Sequence, residues 1–473
     1  MARQIGVRDP RTGRTDGTLR CADAAEVAAA AGRARAAQPG WLALGTAGRG
    51  AALRALRDAI AERDGAMTAA LVRDTGRLQV SRLETDSVLA SLDRWCERAP
   101  GLLDAAGPDP VPTSMPGIGL RQAPLPYPLV GAISPWNFPL LLAMIDAVPA
   151  LLAGSAVLLK PSEITPRFAS VLRECAAAVP ALDGVLTVVD GDGATGAAVV
   201  DAVDLVCFTG SVRTGRAVGA AAAARFIPAF LELGGKDPAI VCADADLDRA
   251  AQAILYGGTV NTGHSCMSIE RVYAAAPVFE EFVGLLVARA RKVGLAYPEV
   301  TDGELGPIIS ADQVGIIREH LADAVARGAS VRCGGEIRVL GGGAYLEPTV
   351  LTGVDHTMKV MREETFGPVL PVMPFADADE AVRLANDSAY GLSAAVFAGT
   401  TEAALAVGER LEAGGVSVND ASLTGFVQDG EKNAFKSSGL GGSRMGPASI
   451  RRFQRQRSFL IRSPEDRAPW WFG

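Results

Sequence analysis

The feature that most limits how this chain can fold is a repeated unit: a short, wholly apolar run, a turn rich in glycine or proline, then a helical stretch. Runs at 129–133, 156–159, 185–189, 205–208 and 230–233 are too short for helices and lack the alternation of a half-solvated strand. Such runs read as strands buried on both faces, with the helical stretches as crossovers. The chain is therefore predicted to be α/β with a parallel sheet. A second α/β series follows between about 235 and 430, with strands at 271–275, 369–373, 394–397 and 415–418 and helices at 278–293 and 311–327. Ahead of both, residues 22–100 read as helices, with apolar repeats such as Leu53, Leu56 and Ile60. The Pro/Gly-rich segment 100–128 reads as a linker or a projecting hairpin, and 458–462 as a final strand before Trp470, Trp471 and Phe472.

The stretch 138–159 is apolar and near the length that spans a bilayer. Pro139, Pro149 and Gly154 interrupt it and Asp146 sits inside it, so a buried helix followed by a buried strand is the better reading. The first residues form no apolar leader, which predicts a cytoplasmic protein with no membrane partner. A formal net charge of -7 argues against a nucleic-acid partner. Seven cysteines without a Cys-x-x-Cys pair read as reduced thiols, and His264, His320 and His356 show no metal-ligand spacing. Arginine outnumbers lysine 40 to 6, yet Lys160, Lys236 and Lys436 all fall inside the motifs that follow.

Cys266 sits in Asn-Thr-Gly-His-Ser-Cys, a loop of small polar residues soon after a helical run that reads as ending at Gly257-Gly258. A thiolate there would be a strong nucleophile, whereas a lone cysteine can equally be a core thiol. His264 is too close in sequence to be held against the sulfur, which disfavours a Cys–His dyad. Glu232 ends an apolar run just before Gly234-Gly235; it suits a general base, or a salt bridge to Lys236. Asn137 lies in Pro-Trp-Asn-Phe-Pro, after a strand and before a helix, where its amide could meet an oxyanion or merely cap the helix. Two glycine loops compete for a dinucleotide. Gly191-Asp-Gly193-Ala-Thr-Gly196 has the G-x-G-x-x-G spacing; Phe208-Thr-Gly210-Ser211, running on to Gly215, opens a helix whose free N–H groups could hold a pyrophosphate. Lys160, Ser162 and Glu163 follow another strand and offer groups for ribose hydroxyls.

Six segments in order resemble the aldehyde dehydrogenase superfamily over essentially the whole chain. They are Pro-Trp-Asn-Phe-Pro at 135–139, Leu-Lys-Pro-Ser-Glu at 159–163, Phe-Thr-Gly-Ser-x-x-x-Gly at 208–215, Glu-Leu-Gly-Gly-Lys at 232–236, Gly-x-x-Cys at 263–266 and Glu-Glu-Thr-Phe-Gly-Pro-Val at 363–369. The resemblance implies that Cys266 attacks an aldehyde, that Asn137 and the Cys266 backbone N–H hold the oxyanion, and that Glu232 activates water to release the acid. It implies a cofactor, NAD with NADP possible, held by Ile133, Ser134, Trp136, Lys160, Ser162, Glu163, Gly193, Phe208, Gly210, Ser211, Gly215, Leu233, Gly234, Glu364 and Phe366. Glu163 would repel a 2′-phosphate, which favours NAD.

The resemblance also implies a cofactor domain (1–108 and 127–233), a catalytic domain (234–435) and an oligomerisation element (109–126 and 450–473) that makes a homodimer or homotetramer, with the aromatic tail packed at an interface. Two positions depart from it. The family's Pro-x-Gly-Gly is replaced by Lys432-Asn-Ala-Phe435, which is expected to alter the substrate-side loop rather than the chemistry. His264 stands where glutamine is common and is expected to line the entrance. The loop 420–426 holds no arginine or lysine to pair a carboxylate, so an uncharged, apolar aldehyde is expected. Leu140, Leu141, Leu142, Met144 and Ile145 are candidates for its tunnel, or are helix core.

Overall fold

The structure is a computed structural model describing residues 3–104 and 109–462. Four helices come first: α1 (Ala24–Ala43), α2 (Gly45–Glu62), α3 (Asp64–Thr75) and α4 (Leu78–Leu103). The start of α1 is fixed by a reciprocal cap in which Asp23 accepts from the Glu26 N–H and the Glu26 carboxylate accepts from the Asp23 N–H. Leu53, Leu56 and Ile60 are fully buried, as their spacing predicts.

The repeated apolar runs form the first sheet. In chain order its elements are β1 (Leu129–Ile133), α5 (Pro139–Ala153), β2 (Ala156–Lys160), α6 (Phe168–Ala177), β3 (Leu186–Val188), α7 (Gly193–Ala202), β4 (Leu205–Thr209), α8 (Val212–Ala224) and β5 (Ala229–Glu232). The strands lie in the order β3-β2-β1-β4-β5, all parallel, with the short strand Gly439–Leu440 antiparallel on the far side of β5. The chain therefore reverses its winding between β1 and β4. Open α/β sheets bind ligands at the carboxyl ends of the strands beside such a reversal.

The second sheet holds β6 (Asp237–Val241), β7 (Ile269–Ala275), β8 (Ser330–Cys333), β9 (Thr349–Thr352), β10 (Val369–Phe375), β11 (Ser393–Phe397) and β12 (Gly415–Val418) in the order β8-β9-β10-β7-β6-β11-β12. Only the edge strand β8 runs antiparallel. Helices α9 (Leu247–Thr259), α10 (Phe279–Ala290) and α11 (Ala311–Ala326) belong to this half. Within the 100–128 segment, Ile118–Gln122 runs antiparallel to Ser458–Arg462 of the same chain.

Several expectations need correction. The helix before Cys266 does not end at Gly257-Gly258 but continues to Thr259, because both glycines face close neighbours that a side chain would strike: Ala421 at 3.1 Å and Leu370 at 2.4 Å. β6 was not read from the sequence: Pro238 inside Asp-Pro-Ala-Ile-Val argues against a central strand, and a register shift at Asp237/Pro238 accommodates it. The 138–159 stretch is helix α5 followed by β2, nearly all buried, and among the described residues no helix is long and apolar enough to cross a membrane. Trp470, Trp471 and Phe472 lie outside the described residues.

Candidate active site

A cavity of about 620 Å³ opens at the carboxyl ends of β1, β2, β4 and β5. Its wall contains Cys266, Glu232 and Asn137 together with every expected cofactor residue except Gly215. Gly215 lies instead on the buried face of α8, where a Cβ would come within 2.4 Å of Leu233. Its role is to let the helix pack against the end of β5.

The loop carrying Cys266 is shaped by three consecutive left-handed residues, Asn261, Thr262 and Gly263, with φ of 57°, 57° and 71°. Such conformations are costly for asparagine and more so for branched threonine, so surrounding contacts must hold them. They do. The Asn261 amide donates to the carbonyls of Asn137 (2.8 Å) and His264 (2.9 Å), and its own oxygen accepts from Arg77. The Asn137 amide also donates to the His264 carbonyl, at 3.0 Å. One Asn137 N–H is thus used to fix the side chain, and the amide's second N–H remains for the cavity. Arg77 also bonds the His264 ring nitrogen Nδ1 and the Pro307 carbonyl.

His264 does not line the entrance. It is completely buried, with its ring 5.2 Å from Trp136 and 5.7 Å from Phe366. Burial and then the Arg77 guanidinium hold its imidazole well below the usual range, so it stays neutral. It acts as a wedge behind Trp136 and Phe366.

Lys236 does not pair with Glu232. Its fully buried ammonium bonds Glu270 at 2.6 Å and the Thr365 hydroxyl at 2.9 Å. Glu270 in turn accepts from the backbone N–H groups of Thr365 and Phe366, and Gln313 donates to the Thr365 carbonyl at 2.7 Å. This buried pair pins the segment that presents Glu364 and Phe366 to the cavity. Glu364 accepts from the Gly235 N–H at 3.1 Å, and burial pushes its carboxyl up to about 8. A Cβ on Gly234 would lie 2.4 Å from Glu364, so that glycine is what lets the carboxyl approach. Cys266 is partly exposed and lines the cavity, but its thiol is surrounded closely enough to be desolvated. Burial, then Glu364, push its thiol up to about 12.

Glu232 ends β5, whose outer edge is covered by Gly439–Leu440. Behind it, Arg444 makes a two-toothed bond with the buried Asp146 of α5 (3.1 and 2.6 Å) and also bonds Thr209. Arg452 joins the same carboxylate. The C-terminal segment is thereby locked to α5 and β4. At the cofactor end Lys160 and Glu163 pair at 2.9 Å, and Ser211 caps α8 by accepting from the Thr214 N–H at 3.3 Å. An open helix N-terminus at a strand end, beside a Lys–Glu pair, suits a dinucleotide: the amides take phosphate and the pair takes ribose hydroxyls.

Of the five tunnel candidates, Leu140, Met144 and Ile145 are buried, while Leu141 and Leu142 are partly exposed. The supporting residues Arg77, Asn261, Glu270 and Arg444 were not found from the sequence. Only Asn261 had a local signal, an asparagine before threonine and glycine in a turn.

Comparison with known proteins agrees with this architecture. The aldehyde dehydrogenase family model matches residues 1–459. The chain is 41% identical to 4,4'-diapolycopene aldehyde oxidase of Methylomonas sp over 73% of its own length and 66% of that protein's, just under two thirds. It is 36% identical to a Mycolicibacterium smegmatis protein assigned as an NADP-dependent succinate-semialdehyde dehydrogenase, over 91% of this chain and 83% of that one. Among solved structures, PutA from Anabaena variabilis, assigned as an aldehyde dehydrogenase, superposes with a TM-score of 0.97 at 55% identity, covering 100% of both chains. Betaine aldehyde dehydrogenase from Staphylococcus aureus in complex with NAD+ superposes at 0.92 with 30% identity, over 99% of this chain and 94% of that one. The chain belongs to the aldehyde dehydrogenase family and is an oxidoreductase that oxidises an aldehyde with NAD(P).

Proposed function

We propose that this enzyme oxidises an aldehyde to the carboxylic acid by hydrolysis of a thioester on Cys266. The observation that carries this reading is the presence of Cys266, Asn137 and Glu232 on one cavity wall. The Cys266 sulfur adds to the carbonyl carbon, giving a thiohemiacetal. Its oxyanion is held by the free N–H of Asn137 and by the Cys266 backbone N–H. The nicotinamide, when bound, supplies the hydride acceptor. Glu232 then takes a proton from water as that water attacks the thioester carbonyl, and the thiol leaves with the acid released.

Cofactor roles follow the same wall. Gly210 and Ser211 at the α8 N-terminus take the pyrophosphate, with Gly193 on the neighbouring loop as a lesser contact. Lys160, Ser162 and Glu163 take the adenosine ribose, and Ile133, Ser134, Trp136, Phe208, Leu233 and Gly234 pack around the dinucleotide. Glu364 takes the second ribose, and Phe366 packs near the ring. Glu163 favours NAD over NADP, and Glu163→Gln should raise kcat/KM for NADP relative to NAD about tenfold. A wild-type preference for NADP would overturn this choice. We assign 1–108 and 127–233 to the cofactor domain, 234–435 to the catalytic domain, and 109–126 with the C-terminal strand to a subunit contact. Val111–Pro112 joins Ile118–Gln122 and Ser458–Arg462 in a three-stranded sheet on which Val111, Leu460 and Ile461 are exposed.

For the substrate we infer an uncharged, apolar aldehyde. Tyr256, Leu423, Phe426 and Val427 expose apolar surface, and Tyr256 stacks on Phe426 at 6.4 Å. Within the same segment Gly425 packs beside the residue after Cys266: a Cβ on it would lie 3.6 Å from Met267. NADH formation from a panel of aldehydes, with and without coenzyme A, tests both proposals. Turnover without coenzyme A and a higher kcat/KM for a long apolar aldehyde are expected. Strict dependence on coenzyme A would overturn thioester hydrolysis, and succinate semialdehyde as the best substrate would overturn the apolar assignment.

A further inference from the structure

Beyond burial, Glu364, Asp237 and Glu232 push the Cys266 thiol up, and Lys432 pulls it down. The other ionisable groups nearby are already engaged. Lys236 and Glu270 hold each other, and His264 is neutral and turned away between Trp136 and Phe366.

Lys432 differs from four of the other five lysines of this chain. Lys160, Lys236, Lys359 and Lys436 each meet a carboxylate. Lys432 is half-buried, and among the described residues no carboxylate lies within ion-pair range of it. Its ammonium instead reaches the Met267 sulfur at 3.2 Å. A thioether is a weak acceptor and cannot neutralise a charge. The geometry is nevertheless built: Gly415 makes room for the stem, since a Cβ there would lie 3.1 Å from the Lys432 Cδ. The Lys432 backbone N–H donates to Ser443 at 2.9 Å, next to the locked Arg444. A half-buried cation directed at the neighbour of the nucleophile, with no carboxylate in ion-pair range among the described residues, is available to an anion formed there.

We propose that Lys432 is a positioning residue whose ammonium stabilises the Cys266 thiolate as the thiol's proton passes to water. This rests on Cys266 being the nucleophile. It also means that the departure at Lys432-Asn-Ala-Phe435 reaches the chemistry and does more than reshape a substrate loop. Burial and Glu364 raise the thiol, Lys432 lowers it, and the balance sets how much thiolate exists near neutral pH.

The test is the rate of iodoacetamide alkylation of Cys266 in cofactor-free enzyme against pH, read by mass spectrometry of the Cys266 peptide. Lys432→Met should move the profile up by about one pH unit and slow alkylation near neutral pH about tenfold. Lys432→Arg keeps the charge and should restore most of the wild-type profile. Lys432→Gln should behave as Lys432→Met and serves if the latter does not fold. An unchanged profile in a neutral variant that melts and binds NAD as wild type does would overturn the proposal. So would an equal shift in Lys432→Arg, which would mean that shape rather than charge is at work. The underlying assignment fails separately: NADH formation from an aldehyde by Cys266→Ser would remove Cys266 as nucleophile, whatever the alkylation profiles show.

Discussion

Two strand-to-helix turns in the first sheet are used in opposite ways. β1 leads through Pro-Trp-Asn-Phe into α5, and β4 leads through Gly-Ser into α8. The strands are neighbours, with Ile133 opposite Phe208, so both helices start at the point where the winding reverses. At α5 the first N–H groups are already taken: Glu84 of α4 accepts from both Leu140 and Leu141 at 3.0 Å. At α8 the cap is the local Ser211, and Ser211, Arg213 and Thr214 face the cavity. A filled helix end cannot receive an anion and an open one can. This contrast supports α8 as the proposed phosphate site and leaves the α5 turn to carry Asn137 toward the proposed reacting carbonyl.

The sharpest break of this comparison is at Asn137. Asn137→Ala should lower kcat by about 10²- to 10³-fold, the usual cost of one oxyanion donor, with the KM for NAD nearly unchanged. The loop should survive, because Asn261 still donates to the Asn137 and His264 carbonyls. Steady-state kinetics check it. A rise in the NAD KM with kcat intact would mean that the α5 turn serves the cofactor after all.

The next effect is on stability. Glu84→Ala leaves two buried N–H groups without an acceptor and should cost about 2–4 kcal/mol in urea unfolding. Burial pushes the Glu84 carboxyl from the ordinary 4.5 up to about 8. Both bonds fall on one of its oxygens, so the neutral acid can still accept them. A raised carboxyl holds its proton in the folded state after the unfolded chain has lost its own. Its contribution to stability is therefore complete below about pH 4.5 and lost as pH rises through about 8. Glu84→Gln keeps the acceptor and cannot titrate, so its stability should fall less between these pH values than wild type's. An identical pH dependence of urea midpoints in the two proteins would contradict a neutral Glu84.

How much of this was visible in the sequence depends on the distance over which each feature is made. The strands of the first sheet were legible because burial on both faces leaves an unbroken apolar run. Much of the cavity wall was legible because Asn137, Lys160, Gly210 and Glu232 end those strands or follow them directly. What fills or supports the wall was not: Glu84 is 56 residues from Leu140, and Arg77 is 184 residues from Asn261. Neither makes a local pattern, and each reads as an ordinary polar residue near or on α4. His264 was misplaced for the same reason. Its partner Arg77 lies far along the chain, so a polar ring in a polar loop gave no sign of being buried.

The smallest effect sharpens the other side of the comparison. Ser211 spends its hydroxyl on one N–H of α8, leaving the remaining donors of the first turn to the cavity. Ser211→Ala should cost about 1 kcal/mol of cap energy, which on binding corresponds to about a fivefold weaker NAD affinity, with kcat for a saturating aldehyde unchanged. Titration of NAD by quenching of tryptophan fluorescence, with Trp136 in the cavity wall, reads this directly. Ser211→Asp adds a carboxylate where the phosphates are proposed to sit. As a cap it is as good as serine, so it should hold the helix and yet weaken NAD more than alanine does. If Ser211→Asp bound NAD as well as wild type, the open end of α8 would not be the phosphate site, and the loop at Gly191–Gly196 would take its place.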